Sequence, residues 1–307
     1  MHPASSIIVF TTLSGAGFGL MVWLGLGFGP QGIGFGFVAS ALALVLAGVG
    51  LVSSLWHLGN PQRAWRALSQ WRSSWLSREG VLAVATLAAF GLYAFLWIAG
   101  FGRVVPLGLL AAALALATVY ATSMIYASIK AVPRWSKSPT PILFLAYALS
   151  GGALAFVASA LPFASLTTVE IFATAVLLFV AGGAGLWWAK RSSSIGLDAD
   201  GSSPETAIGL PHLGRARLLE APHTSPNYLM KEMVYRVGRK HAVKLRRFAF
   251  LAAVALPLFL LGIAAAFYSL APILLLALPI HLLGVAVSRW LFFAEAEHVV
   301  SLYYGHR

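Results

Sequence analysis

The segment Ser54-Leu-Trp-His-Leu-Gly-Asn-Pro-Gln-Arg-Ala-Trp-Arg66, followed by Ser77-Arg-Glu-Gly80, gathers a histidine, a carboxylate, arginines and indoles into one short stretch. His57 can donate or accept a proton near neutral pH, because imidazole titrates in that range. Glu79 can supply or collect the proton that follows an electron. Arg63 can hold negative charge that develops on a reduced ring, and Trp65 offers a flat face for such a ring. Together these types suit the reduction or oxidation of a quinone. The same residues have a plainer reading. Gly59 and Pro61 would then cap and stop a helix, and Glu79 would complement the positive end of the next one. Residue types alone leave both readings open.

The elements that hold these residues follow from composition. The chain has 307 residues, of which 59% are hydrophobic and 10% charged. A soluble domain is about a quarter charged, so lipid is the solvent this composition fits. The apolar runs are long, rich in Leu and Ala, and do not alternate, which predicts helices and not membrane strands. At roughly 20 residues per crossing, eight spans emerge, at about 5–28, 32–55, 79–100, 104–128, 140–161, 166–189, 248–268 and 271–293. The first lacks a basic leader and is too long for a signal peptide, so it reads as a retained helix. His57 ends the second span and Glu79 begins the third. Ionisable groups at such a boundary are costly unless paired or functional.

Every Lys and Arg except Arg103 falls at the termini or in the loops after spans two, four and six. Basic loops stay in the cytoplasm. The reading is therefore an all-α integral membrane protein of a bacterial inner membrane with both termini inside. The net charge of +12 is explained by this rule and needs no nucleic acid. There is no cysteine, so the chain itself offers no ligands for an iron–sulfur cluster, a thiolate zinc site or a c-type haem.

An internal echo suggests how the spans group. Pro3 to Gly17 resembles Pro139 to Ala153, with the proline and Leu13-Ser14-Gly15 in register with Leu149-Ser150-Gly151. Two parallel four-helix bundles would follow: residues 1–138, carrying the motif loop 56–79, and residues 139–307, carrying the basic loop 190–247. Small residues at these positions let helices approach closely in lipid. Gly27-Phe-Gly-Pro-Gln-Gly32 matches a dinucleotide fingerprint in form only, since it joins two spans and follows no strand; it reads as a tight turn. In the sixth loop, residues 191–221 read as irregular. From Ser225 to Lys244 a helix is expected, with Ser225 as N-cap, Pro226 at its first position, and Leu229, Met233 and Val237 on one face. It could dock a partner or lie on anionic lipid.

Five further positions carry expectations. A b-type haem commonly needs two facing histidines, and only His281 is deep, so His281 reads as a hydrogen-bonding or cavity-lining residue. Arg289 is expected to pair with a carboxylate or to lie under a partner's nearest cluster, with ion pairing the preferred reading. Arg134 and Trp135 read as interface anchors. Glu170, near the outer end of span six, reads as a proton exit or a solvated helix end.

The motif His57-Leu-Gly-x-Pro-x-Arg-Ala64, the Ser77-x-Glu79 pair and Ser288-Arg-x-x-Phe292 sit at matching places in an eight-span layout. In these the chain resembles the membrane-anchor subunits of the DMSO reductase family, within the wider polysulfide-reductase and NrfD-like group. The resemblance implies an anchor without a catalytic metal. It would bind ubiquinone or menaquinone near a docking face and exchange electrons with a four-cluster iron–sulfur subunit. That subunit would serve a molybdopterin catalytic subunit. His57 and Glu79 would be the quinone-site and proton-transfer residues, with Gly59, Arg63, Trp65 and Arg289 completing the pocket. A motif face on the cytoplasmic side and an enlarged basic sixth loop resemble the branch that anchors a cytoplasmic sulfite dehydrogenase (quinone), in which sulfite is oxidised to sulfate. The alternatives are a quinol-oxidising anchor of a DMSO- or polysulfide-type reductase, a b-type cytochrome, and a secondary transporter. A transporter would carry polar groups at mid-membrane, whereas here they gather at one edge.

Overall fold

The computed structural model describes residues 3–136, 139–196, 201–217, 219–220 and 241–304, without the side chains of His57, Tyr303 and Tyr304. Among the described residues there is no strand, and eight helices are long and apolar enough to cross a membrane. They are α1 (Ser5–Gly25), α2 (Ile33–Trp56), α3 (Trp75–Phe101), α4 (Val105–Ala127), α5 (Pro139–Ala160), α6 (Thr168–Ser193), α7 (Ala242–Ala266) and α8 (Tyr268–Leu302).

Most ends agree with the hydropathy reading to a few residues. Two helices start earlier than expected. In α3 the start moves to Trp75 because Ser74 accepts from the Ser77 backbone N–H and caps the helix there. In α7, Lys244, Arg246 and Arg247 lie inside the first turns of the helix; long cationic side chains reach back to water, so a helix can begin with them. The expected helix Ser225–Lys244 falls largely outside the described residues, including Ser225, Pro226, Leu229, Met233 and Val237; its last expected residue, Lys244, belongs to α7. The stretch 191–221 is irregular where described, apart from the end of α6 and the short turns Pro204–Ala207 and Pro211–Leu213.

The two helices of the internal echo pack directly on each other. A Cβ at Gly19 would lie 1.8 Å from the Ala148 carbonyl oxygen, and one at Gly152 would lie 2.1 Å from the Gly19 carbonyl carbon. Backbone thus touches backbone, which is how helices gain contact energy where lipid removes the hydrophobic effect. α1 also packs against α2, α4 and α8, and α1 and α5 are the most enclosed of the eight helices.

His281 is fully buried, and its role is packing. Pro257 has no N–H to give the Ala253 carbonyl one turn back, and α7 widens to a π-type turn just before it. The His281 Nδ1–H donates to that carbonyl at 2.6 Å. Nε2 faces the Ser150 hydroxyl at 3.4 Å. The histidine therefore ties α8 to α7 and to α5.

At the opposite end of the helices from His57 and Glu79, Gly27 and Gly29 take φ values of 86° and 81°, as the tight-turn reading requires. Arg103 crosses this turn, donating to the carbonyls of Gly27 at 2.6 Å and Gly29 at 3.0 Å, and to that of Pro30. Glu170 accepts from the Gly29 N–H at 3.1 Å and completes a capping box with Thr167. Glu170 is buried. It is thus a structural cap, not a solvated helix end, and its carboxylate is already committed to this turn.

Candidate functional site

The motif segment folds back over the start of α3. After the 3₁₀ turn Ser54–His57, Leu58 adopts extended backbone (φ −79°, ψ 129°) and ends the helix. Gly59 is not among the glycines with positive φ, so it is not the left-handed cap of the plainer reading. Pro61 opens a second 3₁₀ segment, Pro61–Gln70, at its first position, where its missing N–H costs nothing. The Ser77 hydroxyl donates to the Ala67 carbonyl. A Cβ at Gly80 would lie 2.7 Å from Leu68 Cδ2, so the absent side chain at Gly80 leaves room for Leu68 to pack on the start of α3.

Glu79 is the fifth residue of α3, beyond its first turn, so it does not cap the helix either. It is 5% exposed, and the Thr122 hydroxyl of α4 donates to its Oε1 at 2.5 Å. A buried carboxylate without a donor is costly, and Thr122 meets that need. One turn further along α4, the Tyr126 phenol lies within electrostatic range of both Glu79 and Arg289. Deeper along the same interface, the Thr118 and Thr86 hydroxyls meet at 2.9 Å.

Arg289 of α8 is 2% exposed. Its guanidinium carbon lies 3.5 Å from the Phe144 ring centroid and 5.6 Å from that of Tyr147. No carboxylate pairs with it among the described residues, contrary to expectation; the cation is held by aromatic faces. Its Nε and Nη1 have no acceptor there. The carboxylate of Glu295 pairs instead with Arg246, at 2.5 Å. Trp135 is also corrected: it is buried, stacks on Phe292 at 5.4 Å and donates its Nε1–H to the Phe292 carbonyl at 2.9 Å. It fastens the fourth loop to α8 and does not face lipid.

The structure therefore brings Glu79 and Arg289 within electrostatic range of the same Tyr126 phenol. Gly59, Arg63 and Trp65 lie on the surface, with Trp65 67% exposed, and the Arg66 guanidinium lies 5.6 Å from the Trp65 ring. The backbone of His57 ends the turn next to this segment; its side chain lies outside the described residues. Thr122 and Tyr126 escaped the sequence reading. Their signal is the run Thr118, Thr122, Tyr126, one residue per helical turn on a single face of an apolar helix. Among the described residues no three His, Asp or Glu groups gather as a metal site.

Residues 1–305 match the family model described as DMSO reductase anchor subunit (DmsC). The chain is also 32% identical, over 99% of its own length and 99% of the relative's, to a sulfite dehydrogenase subunit of Allochromatium vinosum. No solved structure matches.

Proposed function

The chain belongs to the DMSO reductase anchor subunit family, and from that premise we propose that it is the quinone-reactive membrane anchor of a molybdenum oxidoreductase complex. In this reading it passes electrons between an iron–sulfur subunit and membrane quinone during sulfite oxidation. Quinone, when bound, supplies the two-electron, two-proton chemistry. This chain contributes the groups that move protons and hold charge. Glu79, steadied by Thr122, exchanges a proton with the ring oxygens. Arg289, whose Nε and Nη1 lack acceptors among the described residues, stabilises negative charge there. His57 shares the proton traffic from the end of its turn. Gly59, Arg63 and Trp65 shape the way in and the adjoining docking surface.

The observation that carries this reading is the buried Glu79–Thr122 pair beneath the motif segment, coupled through the field at Tyr126 to the buried Arg289. The whole-length likeness to a sulfite dehydrogenase subunit supports sulfite as the substrate of the complex. The charge distribution supports a cytoplasmic docking face with both termini inside. The backbone contact of α1 with α5 supports two four-helix bundles joined through these helices.

Mass spectrometry of what co-purifies with the chain from its native membrane in mild detergent tests the assignment. A large molybdopterin subunit and a cysteine-rich cluster subunit are expected in stoichiometric amounts. Recovery of the folded chain alone would overturn the anchor reading.

A further inference from the structure

A cavity of about 400 Å³ opens between α6, α7 and α8, away from Glu79. It falls in the size range of small-molecule sites. Its walls are apolar: Leu186, Phe250, Leu251 and Leu291 line it, and Trp188 and Ala249 lie among them. Leu186 and Leu251 are more than half exposed. On helices of this hydropathy such exposed leucines face lipid, so the cavity opens sideways into the bilayer.

Its mouth is cationic. Arg246 and Arg247 belong to the lining. Lys244 stands one turn before Arg247 on α7, and Lys190 and Arg191 follow the lining residue Ala189 on α6. Lys190, Arg191, Lys244 and Arg247 are exposed, and none has an ion pair among the described residues. Glu295 is the one carboxylate in the lining, and Arg246 already neutralises it at 2.5 Å. Among the described residues, then, no carboxylate pairs with these exposed cations over the apolar slot. Cationic clefts between membrane helices recruit acidic lipid head groups.

We propose that this cavity is a binding site for an anionic phospholipid, with an acyl chain lying between α6 and α7 and the phosphodiester held by Arg247, Lys244 and the cationic end of α6. The site is independent of the quinone reading. It would seat the lipid against Tyr147, which also lines the cavity and flanks Arg289.

Native mass spectrometry of the purified full chain tests this, using dioleoyl phosphatidylglycerol and dioleoyl phosphatidylethanolamine as probes with the same tails. The anionic lipid should be retained preferentially, and excess inorganic phosphate should not displace it. Arg247→Gln and Lys244→Gln should each weaken retention roughly fivefold, whereas Arg72→Gln, in the other half of the chain, should not. Arg247 and Lys244 are both exposed, so neither change threatens folding. Equal retention of the two lipids by the unaltered protein would overturn the proposal, as would undiminished retention by the double variant. Displacement by inorganic phosphate would reduce the site to an anion patch. Recovery of a quinone in place of the lipid would assign the cavity to the electron carrier, and would leave the Glu79 reading to its own tests.

Discussion

Replacing Thr122 with Val removes one hydroxyl and almost nothing else, because the two side chains share a shape. The lost interactions are the 2.5 Å hydrogen bond to Glu79 Oε1 and the weaker 3.0 Å contact with the Thr118 carbonyl one turn back, which stays satisfied within the helix. Hydrogen bonds to charged groups contribute about 1.5–3 kcal/mol. If that energy holds the carboxylate in its working position, quinone-linked turnover should fall by about tenfold to 150-fold, at 1.36 kcal/mol per tenfold. The assay compares two activities of the assembled complex in membranes. Electron transfer to a quinone uses this chain, whereas transfer to an artificial dye at the catalytic subunit bypasses it. The quinone-linked rate should fall while the dye-linked rate stays constant, and Thr122→Ser, which restores a hydroxyl, should recover most of the loss. Full quinone activity in Thr122→Val, alongside an inactive Glu79 variant, would refute the idea that Thr122 positions the carboxylate.

Gly152→Ala should disrupt packing, because its Cβ would meet the Gly19 backbone at 2.1 Å and backbone cannot turn aside as a side chain can. Overpacking costs about 1–3 kcal/mol or more, read as lost accumulation or a lowered melting temperature, while Gly183→Ala, with nothing within 4 Å, should be neutral. His281→Leu should leave the Ala253 carbonyl without the donor at 2.6 Å and cost about 1–3 kcal/mol. Thermal melting of the purified chain checks this, and an absorbance spectrum that changes with the same substitution would contradict the packing role.

The number and placement of the helices were legible because eight apolar runs separated by polar loops leave little choice once lipid is the solvent. The site was legible in part. Glu79 stood out as a carboxylate at a span boundary, and its burial agrees with the cost argument that singled it out. The start of α3 was misread because Trp75 and Leu76 precede a Ser-Arg-Glu triplet, and average hydropathy gives no weight to the Ser74 cap. Arg289 was misassigned because charge pairing was expected where Phe144 and Tyr147 supply ring faces instead, a choice set by where α5 meets α8. Thr122 is invisible to hydropathy, since threonine is common in membrane helices and gains meaning only when α4 sets it opposite Glu79. Trp135 and Glu170 were placed at interfaces by their position along the chain, but long-range contacts with α8 and with the first turn bury them.

The most direct test of the central claim is Glu79→Gln in the intact complex, measured as quinone-linked against dye-linked turnover. Glutamine keeps the shape and can still accept from Thr122, but cannot exchange the proton. The account predicts a complex that assembles, retains its dye-linked rate and loses quinone-linked turnover. Normal quinone-linked turnover in that variant would contradict it.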